Sequence, residues 1–175
     1  MRGAMGIGMA WMLATAALMP GVASAQTSSV TIAVFRFGNA GAYGESRDTT
    51  EARRLRIGTM LASELEHQPG IKAINPRQTW AAVGEDSAGG RRGRRIDAAT
   101  ATRVARELGA QYAVTGSFID HFGRFRVNAQ LVDVRSGAIV KVFTNDDPAL
   151  QRRENLPDIV SAQAASIAKA VTRGE

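Results

Sequence analysis

The sequence predicts an α/β (α+β) sandwich whose mixed sheet of about five strands follows the chain order β-α-β-α-α-β-β-β-α. Residues 30–37 form a nearly continuous apolar run, which is typical of a strand covered on both faces. Residues 108–117 end a helix at Gly109 and enter a second buried strand, and residues 125–143 alternate like an antiparallel hairpin. Since strands joined by helices pair in parallel, the sheet should be mixed and should end in an antiparallel meander with a C-terminal helix.

Residues 1–25 have the features of a cleaved secretory signal peptide. Arg2 is the only charge before Gln26, residues 7–19 are apolar, and Ala23-Ser24-Ala25 is a pattern that signal peptidase accepts. A membrane anchor is disfavoured, because the apolar run is shorter than the roughly 18 residues of a spanning helix. We expect cleavage after Ala25, a periplasmic location and one globular domain over residues 26–175.

Composition narrows the class of protein. The 175 residues carry a formal charge of +6 and contain no cysteine, so the chain is not a lipoprotein and has no disulfides. Four arginines match most of the net positive charge of the mature chain: Arg91, Arg92, Arg94 and Arg95. A nucleic-acid surface normally spreads its basic residues over a face, so we expect no nucleic-acid partner.

The first half of the domain contains two strands and two helices. Residues 30–37 should be a central strand and residues 38–47 a loop. Asp48 and Glu51 have the spacing of a capping box before a helix that stops at Pro69-Gly70. A short strand over residues 71–74 follows. Pro76 then opens a short helix, in which Trp80 is expected to be a core residue rather than part of a site.

The second half begins after a glycine- and arginine-rich segment, residues 84–95, which has the composition of a mobile loop. A helix should run from Asp97 as N-cap to Gly109, and a strand should cover residues 112–119. The next strand should bury Phe125, Val127, Ala129 and Leu131. A turn at residues 135–137 leads to a partner strand over residues 138–144. Pro157 should begin a last helix with the apolar stripe Val160, Ala164, Ile167 and Val171.

Several motifs resemble a known envelope module. They are Ile32-Ala33-Val34-Phe35-x-Phe37, Asn75-Pro76-Arg77, the segment 108–117 and Leu131-Val132-Asp133-Val134-x-x-Gly137. Together they resemble the periplasmic module of CsgG-like curli assembly proteins, FlgO-like flagellar envelope proteins and the N-terminal domain of TolB-like proteins. The resemblance covers roughly residues 30–171. It implies a non-enzymatic protein that binds other envelope proteins or assembles with itself.

Two departures from that family favour a soluble accessory role over a pore. The lipidated cysteine of the CsgG-like pores and related lipoproteins is absent, and the connections between strands are too short to hold membrane-crossing insertions.

Candidate sites for small ligands are weak in the sequence. The glycines at 38, 41 and 44 lie between a strand and a helix, where a phosphate loop would lie, but their spacing fits neither the dinucleotide nor the Walker pattern. His67 stands at a helix end, where the helix dipole favours a cation. We expect a flexible connection and a structural histidine, respectively.

Catalytic and metal sites are also not expected. Asp120-His121 pairs a carboxylate with an imidazole, yet adjacent strand residues point to opposite faces, so a solvated turn is favoured over a general base. Asp146-Asp147 lacks further metal ligands. We therefore expect no catalytic residues, no metal and no cofactor.

Two functions remain. The favoured one is an exported, non-enzymatic interaction or assembly-accessory protein of the bacterial cell envelope. The alternative is a periplasmic anion- or phosphate-binding protein that uses the glycine-rich loop and the four arginines. Arg91, Arg92, Arg94 and Arg95 are the candidate contact residues for an acidic partner or a membrane surface, since each guanidinium forms bidentate bonds with a carboxylate or phosphate. A solvated loop that binds nothing is the other interpretation.

Overall fold

The computed structural model describes residues 29–41, 47–84, 96–121 and 123–173. These residues form six strands and four α-helices. The strands are β1 Val30–Val34, β2 Gly38–Asn39, β3 Ile71–Ile74, β4 Tyr112–His121, β5 Arg124–Asp133 and β6 Ile139–Thr144. The helices are α1 Arg47–Glu66, α2 Pro76–Val83, α3 Ala98–Glu107 and α4 Leu156–Arg173, and 3₁₀ turns cover Pro148–Leu150 and Arg153–Asn155.

The strands make one mixed sheet in the order β3-β1-β4-β5-β6, and β2 pairs with β4. β1 lies between β3 and β4 and is parallel to both, whereas β4, β5 and β6 are antiparallel neighbours. The predicted fold class, element order and meander are confirmed.

Helices cover the sheet on both faces, and each face has its own apolar cluster. Ile32 and Val34 of β1 pack into the larger cluster with α1 and α4. Ala33 of the same strand, and Phe35 just after it, pack into a smaller cluster with α2 and α3. This alternation follows from the two-residue period of a strand, and it explains why the sequence of β1 is apolar on both sides.

The predicted helix boundaries are mostly confirmed. The side chain of Asp97 accepts a hydrogen bond from the Thr100 N–H at 2.9 Å and so caps α3, and Gly109 takes the positive φ of 72° that ends a helix. Asn75 and Gln78 form a capping box at the start of α2, with Pro76 in its first turn.

Two predictions about the first half are wrong. Asp48 lies in the first turn of α1 and is not its N-cap, because the helix already begins at Arg47. The Glu51 carboxylate is engaged with Arg54 and Arg36 instead of closing a capping box. The segment after β1 is also not all loop, since Gly38 and Asn39 pair with Ser117 and Phe118 of β4.

The C-terminal meander is tied together beyond its strands. The buried side chain of Asn145 accepts from the Val127 N–H at 2.6 Å and donates to the Phe125 carbonyl at 3.1 Å. The Phe125 N–H in turn donates to the Gln151 carbonyl at 3.0 Å. The start of β5 lies beyond the end of β6. There the Asn145 side chain and the Gln151 carbonyl take the place of a partner strand. α4 begins at Leu156, one residue before the predicted Pro157, and its stripe of Val160, Ala164, Ile167 and Val171 is buried as expected.

Candidate interaction surfaces

The four arginines of the candidate contact segment, Arg91, Arg92, Arg94 and Arg95, lie outside the described residues. The proposed signal peptide and Gly44 lie outside them as well. The described part of the glycine-rich segment is tied to the sheet: the Ala40 N–H donates to the Phe118 carbonyl at 2.9 Å, and the Gly41 N–H donates to the Asn39 side chain at 3.0 Å. These two N–H groups are thus directed at the protein itself.

The Asp120-His121 pair is not a solvated turn. Both residues belong to β4 and pair with Phe125 and Arg124 of β5. The Asp120 side chain is 8% exposed and is held by two arginines, whereas His121 is exposed at the end of the strand. The prediction that they point to opposite faces is consistent with this contrast, and Asp120 has a structural ion-pairing role.

Asp120 connects three separate elements. The Arg153 side chain donates to Asp120 Oδ2 from Nε at 2.9 Å and also from Nη2. Arg53 Nη1 of α1 lies 3.5 Å from the same oxygen, and the Arg53 guanidinium stands 5.8 Å from the ring centroid of Phe118. The carboxylate of Asp120 on β4 therefore holds one arginine of α1 and one arginine of the 3₁₀ turn that precedes α4.

These arginines line an open cleft of about 700 Å³ between α1 and the start of α4. Arg56, Ala52 and Thr49 form its α1 wall. Glu154, Leu156 and Pro157 form the opposite wall together with Arg153. The cleft, called the α1–α4 cleft below, combines guanidinium groups with apolar side chains.

A second cluster of charges lies where β1 ends. The fully buried Arg54 donates from Nε to the Phe37 carbonyl at 2.9 Å and from Nη1 to Glu51. Arg36 stacks on Trp80, with its guanidinium carbon 4.4 Å from the ring centroid. Burial lowers the pKa of Arg36, and Glu51 at 3.9 Å partly opposes that effect. Trp80 packs against the smaller cluster, as expected of a core residue, but it lies at the edge of that cluster and is only half-buried.

The outermost strand, β6, carries exposed apolar side chains. In the part of the chain that the structure describes, the large hydrophobic residues classed as exposed are Ile139, Val140 and Val142, at 49%, 38% and 52%. The pairing passes from Leu131–Lys141 to Val132–Ile139, so Val140 is the extra residue of a β-bulge. Unpaired strand edges of this kind are surfaces to which other chains add.

The remaining candidate residues of the sequence, His67 and Asp147, do not form a metal site with other described residues. His67 follows the end of α1 and is exposed. Asp147 accepts from the Ala149 N–H at 2.9 Å and so caps a 3₁₀ turn. Within residues 29–41, 47–84, 96–121 and 123–173, no three His, Cys, Asp or Glu side chains come together in a way that could hold a metal ion. No helix in those same ranges combines the length and apolarity needed to cross a membrane.

Sequence reasoning missed Arg54, Arg53 and Arg153 as members of ion-pair networks. Their partners lie far along the chain or on a neighbouring helix turn, and an arginine on a helix is normally a solvated residue. The exposed apolar residues of β6 form an apolar run in the sequence, and that run predicts a strand but not its exposure.

No protein-family model matches the chain, and a search of curated proteins gives no match. Among solved structures, the chain is similar to the LpoB C-terminal domain from Escherichia coli, with a TM-score of 0.46 and 20% identity over 70% of this chain and 84% of that one. It is also similar to TolB from Acinetobacter baumannii, with a TM-score of 0.44 and 16% identity over 83% of this chain.

The chain spans 28% of the length of that TolB chain. A third structure, the hypothetical protein CT253 from Chlamydia trachomatis, has a TM-score of 0.43 and 8% identity over 81% of this chain and 96% of that one. TolB belongs to one of the families that the sequence motifs resemble, while the resemblance to curli assembly and flagellar proteins stays a prediction. With these TM-scores and sequence identities, the structural similarity assigns no function to the chain.

Proposed function

We propose that this chain is an exported, non-enzymatic interaction or assembly-accessory protein of the bacterial cell envelope. The observation that carries the proposal is the outer strand β6, whose exposed Ile139, Val140 and Val142 stand beside an edge with which no other described strand pairs. Exposed apolar patches on a soluble domain mark surfaces where another protein binds. A partner strand would cover these side chains and would add to the sheet.

Other features support a binding role in place of catalysis. Asp120, the carboxylate considered in the sequence as the partner of a histidine general base, is engaged with Arg53 and Arg153. A general base needs a carboxylate or imidazole that can reach a substrate proton. Asp120 instead links α1 and the segment before α4 to the sheet, and Arg54 links α1 to the chain after β1.

Site-specific photocrosslinking tests the proposal. A photoreactive phenylalanine analogue is placed at Val142 in the full-length protein, expressed in a Gram-negative host, and at Glu107, an exposed residue of α3, as the control. We expect discrete crosslinked proteins from the envelope with the Val142 probe and not with the Glu107 probe. Mass spectrometry of the same preparation should find a mature chain that starts at Gln26.

A matched variant separates contact from folding. Ile139→Lys together with Val142→Lys replaces exposed side chains, so the melting temperature should change little, because surface substitutions usually change stability by less than about 0.5 kcal/mol. Co-purification of the crosslinked partners should be lost. If the double variant retains the same partners at the same yield, β6 is not the binding surface and the proposal loses its main support.

The arginine segment is a second proposed contact. Replacing Arg91, Arg92, Arg94 and Arg95 by Ser should leave the melting temperature nearly unchanged. It should also weaken association with an acidic partner or membrane surface, with the lost part being sensitive to salt. Equal binding by the substituted protein at low salt would leave the segment as a solvated loop.

A further inference from the structure

Among the described residues that line the α1–α4 cleft, arginines outnumber acidic residues. Arg53 and Arg153 both pair with the carboxylate of Asp120. Glu154, the other acid on the cleft wall, lies 3.8 Å from Arg152. Arg56 is exposed and has no ion-pair partner among the described residues. A guanidinium group therefore faces the cleft with its bidentate donors available.

The charges of the cleft are held in place before any ligand arrives. The Arg53 side chain is 12% exposed, and it is fixed by Asp120 on one side and by the ring of Phe118 on the other. Ordering a long side chain on binding costs conformational entropy. Because Arg53 is already ordered in the folded protein, a ligand would not have to order it. Arg56 lies three residues later, one turn along α1, so its position relative to Arg53 is set by the helix.

The apolar part of the cleft indicates which kind of anion fits. Ala52, Leu156 and Pro157 lie beside the arginines. A small inorganic ion gains nothing from such a surface, whereas a polypeptide segment buries its own apolar side chains there. Arginine next to apolar surface is also the composition that distinguishes protein interfaces. The space of about 700 Å³ is large enough for several residues of a chain.

From these observations we infer that the α1–α4 cleft binds an acidic segment of a partner polypeptide, with a carboxylate of that segment paired to Arg56 and its apolar residues against Leu156 and Pro157. The inference rests on the proposed function, in which the chain works by binding another protein. It adds a further charge-selective surface, on a different part of the molecule from β6.

Nuclear magnetic resonance titration of the mature protein provides the test. The probe is a synthetic peptide of alternating glutamate and leucine, added at constant ionic strength. We expect saturable shifts of the Arg56 Nε–Hε signal and of amides around Arg53 and Leu156. The variant Arg56→Ser should bind about three- to tenfold more weakly, since hydrogen bonds to charged groups are the stronger ones. The exposed Arg103→Ser on α3 is the charge-matched control and should bind like the parent protein.

Three results would overturn the inference. One is equal affinity of the Arg56→Ser and Arg103→Ser proteins for the peptide, both with unchanged melting temperatures. Another is a saturable response to inorganic phosphate as strong as that to the peptide, which would make the cleft a phosphate site. A third is binding of phosphatidylglycerol vesicles that depends on Arg56 while the peptide has no effect, which would assign the cleft to a membrane surface.

The outcome is separable from that of the proposed function. If the Val142 probe captures envelope proteins and the peptide does not bind the cleft, this inference fails and the proposed function stands. If the peptide binds as expected and the Val142 probe captures nothing, the β6 proposal fails and the cleft becomes the binding surface.

Discussion

The aromatic ring of Phe37 lies against the Cα of Gly116, so that a Cβ added at position 116 would stand 2.2 Å from Cε1 of the ring and 2.5 Å from the Asn128 carbonyl oxygen. Phe37 itself is fully buried, and its carbonyl accepts the hydrogen bond from Arg54. The glycine in β4 is therefore required by the close approach of a ring from the segment that follows β1.

Replacing Gly116 by Ala should destabilise the domain by about 1–3 kcal/mol or more, because both the ring and a neighbouring backbone atom would have to move. Urea denaturation measures the loss. Combining Gly116→Ala with Phe37→Leu should cost less than the sum of the two single changes, since the smaller side chain relieves one of the clashes. Additive losses would mean that the ring does not restrict position 116.

Val114 and Leu131 are directly opposite each other in β4 and β5, and both are fully buried in the larger cluster. Truncating either to Ala should cost on the order of 2–4 kcal/mol, a large part of the roughly 5–15 kcal/mol of a typical domain. The change His121→Ala in the same hairpin should cost almost nothing, because that side chain is exposed. Thermal melts that gave the reverse order would contradict the assigned strand faces.

Replacing Asp120 should destabilise the fold more than replacing an exposed acidic residue does. The change Asp120→Ala removes a carboxylate that pairs with the largely buried guanidinium of Arg53 and with Arg153, and we expect a loss of about 1–3 kcal/mol. Glu107, whose exposed carboxylate lies 2.8 Å from Arg103 on α3, provides the comparison. The change Glu107→Ala should cost less than about 1 kcal/mol, as is usual for exposed pairs. Similar losses at both positions would argue against a special role for Asp120.

The pKa values of two carboxylates, Asp97 and Asp133, predict a dependence of stability on pH. The Thr100 N–H lowers the pKa of Asp97, and the Ser136 N–H lowers the pKa of Asp133. Because these pKa values are lower in the folded chain than the roughly 3.9 of an unfolded one, their stabilisation is present above that value and is lost as the pH falls through the folded pKa.

The double variant Asp97→Asn and Asp133→Asn tests this dependence, since an amide oxygen still accepts both hydrogen bonds but does not titrate. Between about pH 5 and about pH 2, the melting temperature of the parent protein should fall more steeply than that of the variant. If the melting temperatures of the two proteins fell in parallel, groups other than Asp97 and Asp133 would cause the loss of stability at low pH.

The element order could be predicted because its signals are local. Apolar periodicity, Pro76, Asp97 and Gly109 each specify a boundary from a few neighbouring residues. What was missed depends on distant partners: β2 exists because Gly38 pairs with Ser117, and Asp120 is buried because Arg53 and Arg153 meet it. No pattern within a short window of sequence carries that information.

The same distinction applies to the candidate surfaces. The apolar residues of β6 are evident in the sequence, but their exposure follows from β6 being the last strand of the sheet. The α1–α4 cleft brings together residues about 100 positions apart, Arg53 and Arg153. The four arginines at 91–95 were predicted as contacts from composition alone, and that remains a prediction.

The division of the interior into two apolar clusters has a consequence for motion. Among the described residues, the cluster under α2 and α3 is the smaller one and is rich in alanine, while the cluster under α1 and α4 holds the large side chains Phe37, Phe118 and Phe125. Because the sheet separates the two clusters, we expect the α2–α3 layer to open locally at a lower free energy than global unfolding requires. Amide hydrogens of α3 should then exchange with solvent before those of α4, which hydrogen–deuterium exchange measures.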